Sequence, residues 1–339
     1  MSMEKVIRTI CFFTKEPNLE IENRLSYLEK TLKDKGFTIQ TKRICSPQNS
    51  FLELQDLVQD KSILLSIGSL NFQQAKEKVD EFIKAQSVAF NLDLTSEDIT
   101  DEHSQILFKI IKESPASTFS FTYTFNNSVS SPYFPSAVFE KEGFAIGLQP
   151  TDLAKGCKSI DEWLNNLRKC WLEINSIFEK ETDFLGMDSS IAPLFKGDSS
   201  LISFIKKLFP SFNESILTDA YLKITKFIKN ENSKSVGLCG LMFPCLEDFE
   251  LADEYEKGNF SVERNIFLSL HSGLGIDTYP IGIDEDIRKV TNILKTVQGL
   301  SNKYKKPLSV RFVSDGKSKI GEKTDFKNQY LKDIVLRKL

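Results

Sequence analysis

The chain has 339 residues, 40% of them hydrophobic and 27% charged, which is the balance of a globular protein and excludes a disordered, fibrous or disulfide-scaffold chain. Lysine and arginine number 44 against 47 aspartates and glutamates, and the net charge of −3 supplies no global basic field to draw nucleic acid or an anionic membrane. Two histidines and six cysteines without a CxxC pair give no metal-site spacing, so no metal is expected and all six thiols are expected to be reduced.

In chain order, Met1-Ser2-Met3-Glu4-Lys5-Val6-Ile7-Arg8 puts charges where a signal peptide needs its apolar stretch, and no uncharged apolar run approaches membrane-span length; the expectation is a cytoplasmic protein. Ile7 to Phe13, Phe37 to Thr41, Ser62 to Ile67, Ser87 to Asn91 and Thr118 to Phe125 are short and evenly apolar, the pattern of strands buried on both faces. Between the first two, Ile21, Leu25, Leu28 and Leu32 recur at helical spacing and stop before Gly36. Segments 72–85 and 97–113 repeat that period. The second half continues with a helix near 159–181, a strand at Phe184 to Met187, helices opening near Gly197 and near 214–230, strands at Val236 to Phe243 and Gly275 to Ile281, a helix near 284–304 and a strand at Leu308 to Val313. Alternation of this kind predicts an α/β fold with a parallel or mixed sheet wrapped by helices. No Gly-, Ser- or Pro-rich linker divides the chain, which predicts a single α/β domain over residues 1–339.

Ligands of parallel α/β folds sit at the carboxyl ends of strands, so the loops there are the places to search. Phe184 to Met187 delivers Asp188, Ser189 and Ser190, and Gly197-Asp198-Ser199 then opens a helix. Asp198 and Ser199 either cap that helix or help its free N–H groups hold a phosphate or carboxylate. Neither GxxxxGK[ST] nor GxGxxG occurs, and no motif names a cofactor. Arg311, inside an apolar strand, needs a carboxylate partner or a ligand anion, and Asp277 on the preceding strand is the candidate partner. The three lysines of Ser314-Asp315-Gly316-Lys317-Ser318-Lys319-Ile320-Gly321-Glu322-Lys323 form either a solvated loop or a cover over an anion. Cys239 and Cys245 read as inert core thiols, and His271, with no second histidine close by, as a capping or surface residue.

Several blocks together resemble an uncharacterised family, domain of unknown function 711: Tyr133-Phe134-Pro135, Phe144-Ala145-Ile146-Gly147-Leu148, Gly186 to Pro193 with Gly197-Asp198-Ser199, Gly240 to Asp248, Gly273 to Pro280, and Lys306-Pro307-Leu308-Ser309-Val310-Arg311. The opening Ile7-Arg8-Thr9-Ile10 resembles the family's start, so the likeness covers nearly the whole chain. It implies a ten-stranded α/β barrel like that of pyruvate formate-lyase and other glycyl radical enzymes, two parallel half-barrels of five strands set antiparallel. The radical chemistry does not carry over, because Arg311-Phe312-Val313-Ser314-Asp315-Gly316 imitates the required Arg-Val-x-Gly loop only loosely, with its glycine set too far from the arginine. Phe139-Glu140 stands where longer members show a histidine followed by glycine.

Two functions follow as expectations. The first is an enzyme with a barrel-mouth site lined by Asp188, Ser190, Asp198, Ser199, Asp277 and Arg311, taking a small polar or anionic metabolite. The second is a non-catalytic protein that uses the same barrel for ligand sensing or assembly, and a homo-oligomer is compatible with either.

Overall fold

The computed structural model describes residues 4–85 and 87–339. Ten strands form one sheet: β1 (Lys5–Phe13), β2 (Phe37–Ile39), β3 (Lys42–Cys45), β4 (Leu64–Leu70), β5 (Val88–Asp93), β6 (Phe121–Phe125), β7 (Gly143–Leu148), β8 (Phe184–Asp188), β9 (Gly275–Pro280) and β10 (Leu308–Val313). The helices are α1 (Leu19–Asp34), α2 (Phe51–Leu57), α3 (Phe72–Lys84), α4 (Asp101–Glu113), α5 (Ile160–Ile177), α6 (Leu201–Leu208), α7 (Phe212–Ile216), α8 (Ala220–Asn230), α9 (Phe249–Glu256), α10 (Val262–His271) and α11 (Ile287–Tyr304). Local chemistry sets their starts. Asn18 caps α1 by accepting from the Ile21 N–H, and Ser50 with Glu53 and Asn71 with Gln74 form reciprocal capping boxes on α2 and α3.

The strand order is β8-β7-β1-β3-β4-β5-β6-β10-β9, with β2 also on β1. Strands β1 and β3 to β6 run parallel to one another, β7 with β8 and β9 with β10 form two further parallel pairs, and both pairs join the first group antiparallel, at β1·β7 and β6·β10. The edges are therefore β8 and β9. Between them runs the segment expected to be a strand at Val236 to Phe243. It makes only single parallel bridges: Ser235 to Met187 and Leu241 to Ile191 on one side, Leu241 to Gly273 and Pro244 to Asp277 on the other. Gly237 at φ +75° and Cys239 at φ +47° turn its backbone out of the extended region, and Pro244 has no N–H to donate, so a continuous ladder cannot form and the sheet is not closed by hydrogen bonds.

Register sorts the side chains onto two faces. Cys11 pairs with Arg43 and with Ala145, and Phe13 with Cys45, which puts all of them on the inner face; Cys11, Phe13, Cys45, Ala137 and Ala145 make a small cluster there. The alternate residues Ile10, Phe12 and Ile44 enter the large outer core with Leu25, Leu28 and Leu32 of α1. The 126–142 loop fills much of the inner face. Asn91 Nδ2 donates to the carbonyls of Pro135 and Ala137, each at 3.0 Å, and Tyr133 Oη donates to the Leu148 carbonyl at 2.8 Å. Tyr133 lies directly on Gly147, where a Cβ would come within 2.7 Å of the ring.

Candidate functional site

Five strands send polar side chains toward one small inner cavity of about 50 Å³, roofed by Tyr133, Phe134 and Pro135 of the 126–142 loop. Arg8 comes from β1, Arg43 from β3, Thr122 from β6, Asp277 from β9 and Arg311 from β10. Glu247, in the turn before α9, completes the wall. Arg311 is 7% exposed, and its Nε donates to Asp277 Oδ1 at 2.6 Å while Nη2 donates to Glu247 Oε2 at 2.7 Å. Glu247 accepts from Arg8 Nη2 on its other oxygen at 3.2 Å. Nη1 of Arg311 reaches the Phe119 carbonyl at 3.2 Å, and the guanidinium carbon stands 5.1 Å from the Phe119 ring centroid. Burial alone would push Arg311 down, yet Asp277 and Glu247 hold it above its ordinary value, while burial pushes Glu247 up against the pull of Arg311 and Arg8.

Arg43 is held differently. It is 7% exposed, its Nε donates to Thr41 Oγ1 at 3.2 Å, Nη1 reaches the Pro132 carbonyl at 3.4 Å, and the group lies 5.0 Å from the Phe134 ring centroid. It forms no ion pair among the described residues, and its Nη2 has no hydrogen-bond partner among them. Burial, followed by repulsion from Arg8, pushes Arg43 down to about 10, so it stays charged at neutral pH. Three guanidiniums thus meet two carboxylates in the cavity wall, and Arg43 is the one of the three without a direct ion pair, drawn to Glu247 only at longer range. A donor fork of this kind can take both oxygens of a carboxylate or phosphate.

The cavity opens into a groove of about 1170 Å³ that shares Arg8, Arg43, Arg311, Glu247, Phe134 and Pro135 with it. The groove runs across the amino ends of β4, β5 and β6 and the carboxyl end of β10, because the two sets of strands are antiparallel; Phe119, Phe195 and Tyr330 line it, and Lys317 stands at its wall.

Of the residues expected to form a site, the structure brings Asp277 and Arg311 together in the cavity wall. Asp188 and Ser190 lie beside it as a buried knot. Asp188 accepts from Ser131 Oγ at 2.7 Å, Ser190 Oγ at 2.6 Å and the N–H groups of Leu238 and Cys239 at 2.9 and 3.2 Å, and of these partners Leu238 lines the cavity. Asp198 and Ser199 are elsewhere. Asp198 pairs on the surface with Lys155 and Lys207, and Ser199 Oγ donates to Asp152. The helix expected to open at Asp198 or Ser199 is instead capped by Ser200, and its N–H groups are already taken: Asp248 Oδ2 accepts from Leu201 at 3.0 Å and from Ile202 at 3.3 Å. His271 ends α10 and contacts Ser272 Oγ at 2.7 Å; all six cysteines are free.

Arg8, Arg43 and Glu247 were missing from the sequence expectation. The signal that found Arg311, an arginine among apolar strand residues, is present in Ile7-Arg8-Thr9-Ile10 and in Arg43-Ile44-Cys45 as well.

No curated protein matches the chain. The profile of the family described as Uncharacterised ACR (DUF711) matches residues 71–328, a range that takes in Glu247, Asp277 and Arg311 and leaves Arg8 and Arg43 before it. With three quarters of its length matched, the chain belongs to the uncharacterised DUF711 family.

Proposed function

We propose that this protein binds a small anionic metabolite, a carboxylate or phosphate, in the inner cavity, with Arg43 as the principal recognition residue and Arg8 and Arg311 beside it. The observation that carries this reading is the guanidinium without an ion pair: a buried charge that no carboxylate contacts is costly, and Arg8 and Arg311 each bond a carboxylate directly while Arg43 feels Glu247 only at longer range. The roles divide accordingly. Glu247 and Asp277 fix Arg311, and Asp188 fixes the backbone at Leu238, another residue of the cavity lining. The proposal also reads the sheet as a barrel of the pyruvate formate-lyase-like kind, on the support of its antiparallel halves and of the 235–244 segment that bridges singly to both edges. A cytoplasmic setting fits the six free thiols.

Differential scanning fluorimetry with malonate, succinate and inorganic phosphate, and with succinamide as the neutral counterpart, tests the reading. At saturation at least one anion is expected to raise the unfolding midpoint by about 2 °C or more. Succinamide is expected to leave it unchanged, and the Arg43→Met variant is expected to lose the anion's effect. Absence of any anion effect, or an equal effect in the variant, overturns the proposal.

A further inference from the structure

The volumes of the two connected spaces bear on what kind of anion fits. About 50 Å³ around Arg43 and Arg311 accommodates a carboxylate or phosphate group and little more, whereas the groove that continues from it, at about 1170 Å³, exceeds the size of an ordinary small-molecule site. The groove wall is aromatic where it leaves the arginines. Phe119 carries Arg311 against its ring; Tyr330 lies nearly parallel to Phe119, at 6° and 6.4 Å between centroids, and Phe195 stacks with Tyr330 at 5.6 Å. Tyr330 itself is fixed, since the chain around it is tied down at the Asn328 side chain and, through Lys332, at the Leu246 carbonyl and Asp253. A preformed charged end and a preformed aromatic wall on one continuous space complement a molecule with the same two parts.

We infer that the ligand is an elongated acid with a ring-bearing apolar body, its anionic head at Arg43 and its ring against the Phe119–Tyr330–Phe195 wall. This rests on the anion-binding reading above and specifies the ligand class for the same site. Burial of a ring against aromatic side chains adds to the head-group interaction without altering it.

Isothermal titration with acetate, butyrate, phenylacetate, 3-phenylpropionate and 4-phenylbutyrate separates the two claims. At least one aryl acid is expected to bind about tenfold more tightly than acetate and butyrate. Tyr330→Leu is expected to remove most of that gain. Ala116→Trp, a substitution at an exposed position of the groove wall, is expected to block the aryl acids while leaving acetate binding intact. Aryl acids that bind no better than acetate, or that bind equally well in Ala116→Trp, overturn the inference and leave the anion site standing. Failure of every acid, short or aryl, overturns the anion site together with the inference.

Discussion

Glu247 and Arg311 form a buried ion pair at 2.7 Å, and the second oxygen of Glu247 takes Arg8 at 3.2 Å, so one carboxylate from the turn before α9 restrains arginines from β1 and β10. Removing it leaves two guanidiniums without their shared partner. Glu247→Ala is expected to lower the unfolding free energy by about 3–5 kcal/mol in urea titration. Glu247→Gln keeps an acceptor oxygen and raises the charge of the cavity, so its expected signature is reduced stability with tighter anion binding; weaker anion binding in this variant would contradict the assigned roles.

Gly237 and Asp188 make a second tight relationship. Gly237 has φ +75°, and a Cβ there would collide with the Asp188 carboxylate and approach Ser131 Cα to 2.9 Å. Gly237→Ala is therefore expected to cost about 3 kcal/mol or more, from backbone strain and displacement of a carboxylate that ties together three segments, at Ser131, Ser190 and Leu238-Cys239. Gly299, exposed in α11 with nothing within 4 Å of its would-be Cβ, is the contrast. Gly299→Ala is expected to stabilise by about 0.5–1 kcal/mol. Thermal or urea unfolding of the two variants checks both signs.

Much of the outer architecture was readable from pattern. Evenly apolar runs such as Ile7 to Phe13 and Leu308 to Val313 are strands because their two faces are both covered, one by helices and one by the inner cluster and the 126–142 loop. β3 escaped the reading because Lys42 and Arg43 break its apolar run, and the same Arg43 is the cavity arginine that has no direct ion pair. The opposite error occurred at Val236 to Phe243, where an apolar run spells a strand while positive φ angles at Gly237 and Cys239 prevent one. In the site, the Arg311–Asp277 pair was legible since an arginine in a buried strand demands an anion. The fate of Asp198 was not: the helix terminus beside it is satisfied by Asp248, 47 residues from Leu201, and only the fold brings those two together.

Asp248 also yields a pH prediction. Burial pushes its carboxyl from 3.8 up to about 7, opposed by the Ser200 hydroxyl and the Ile202 N–H, with Glu250 nearby adding to the rise. The folded chain therefore keeps a proton that the unfolded chain releases near pH 4, so this group's contribution to stability is full below that point and falls as pH rises to about 7, by at most about 1.4 kcal/mol per pH unit. Asp248→Asn lacks this titration. The stability difference between wild type and Asp248→Asn is expected to shift against wild type between pH 4.5 and 6.5 in urea titrations; a constant difference would contradict it.

The central claim is that Arg43 offers a buried guanidinium without an ion pair to an anion in the inner cavity, and the most direct measurement is the anomalous difference map of a crystal of this protein soaked in sodium selenate, a phosphate-shaped anion. A selenium peak in the cavity with an oxygen within hydrogen-bond distance of the Arg43 guanidinium, absent from crystals of Arg43→Met, is the predicted result. Selenate bound only at the surface, with the cavity beside Arg43 free of it in the wild-type crystal, would contradict the account.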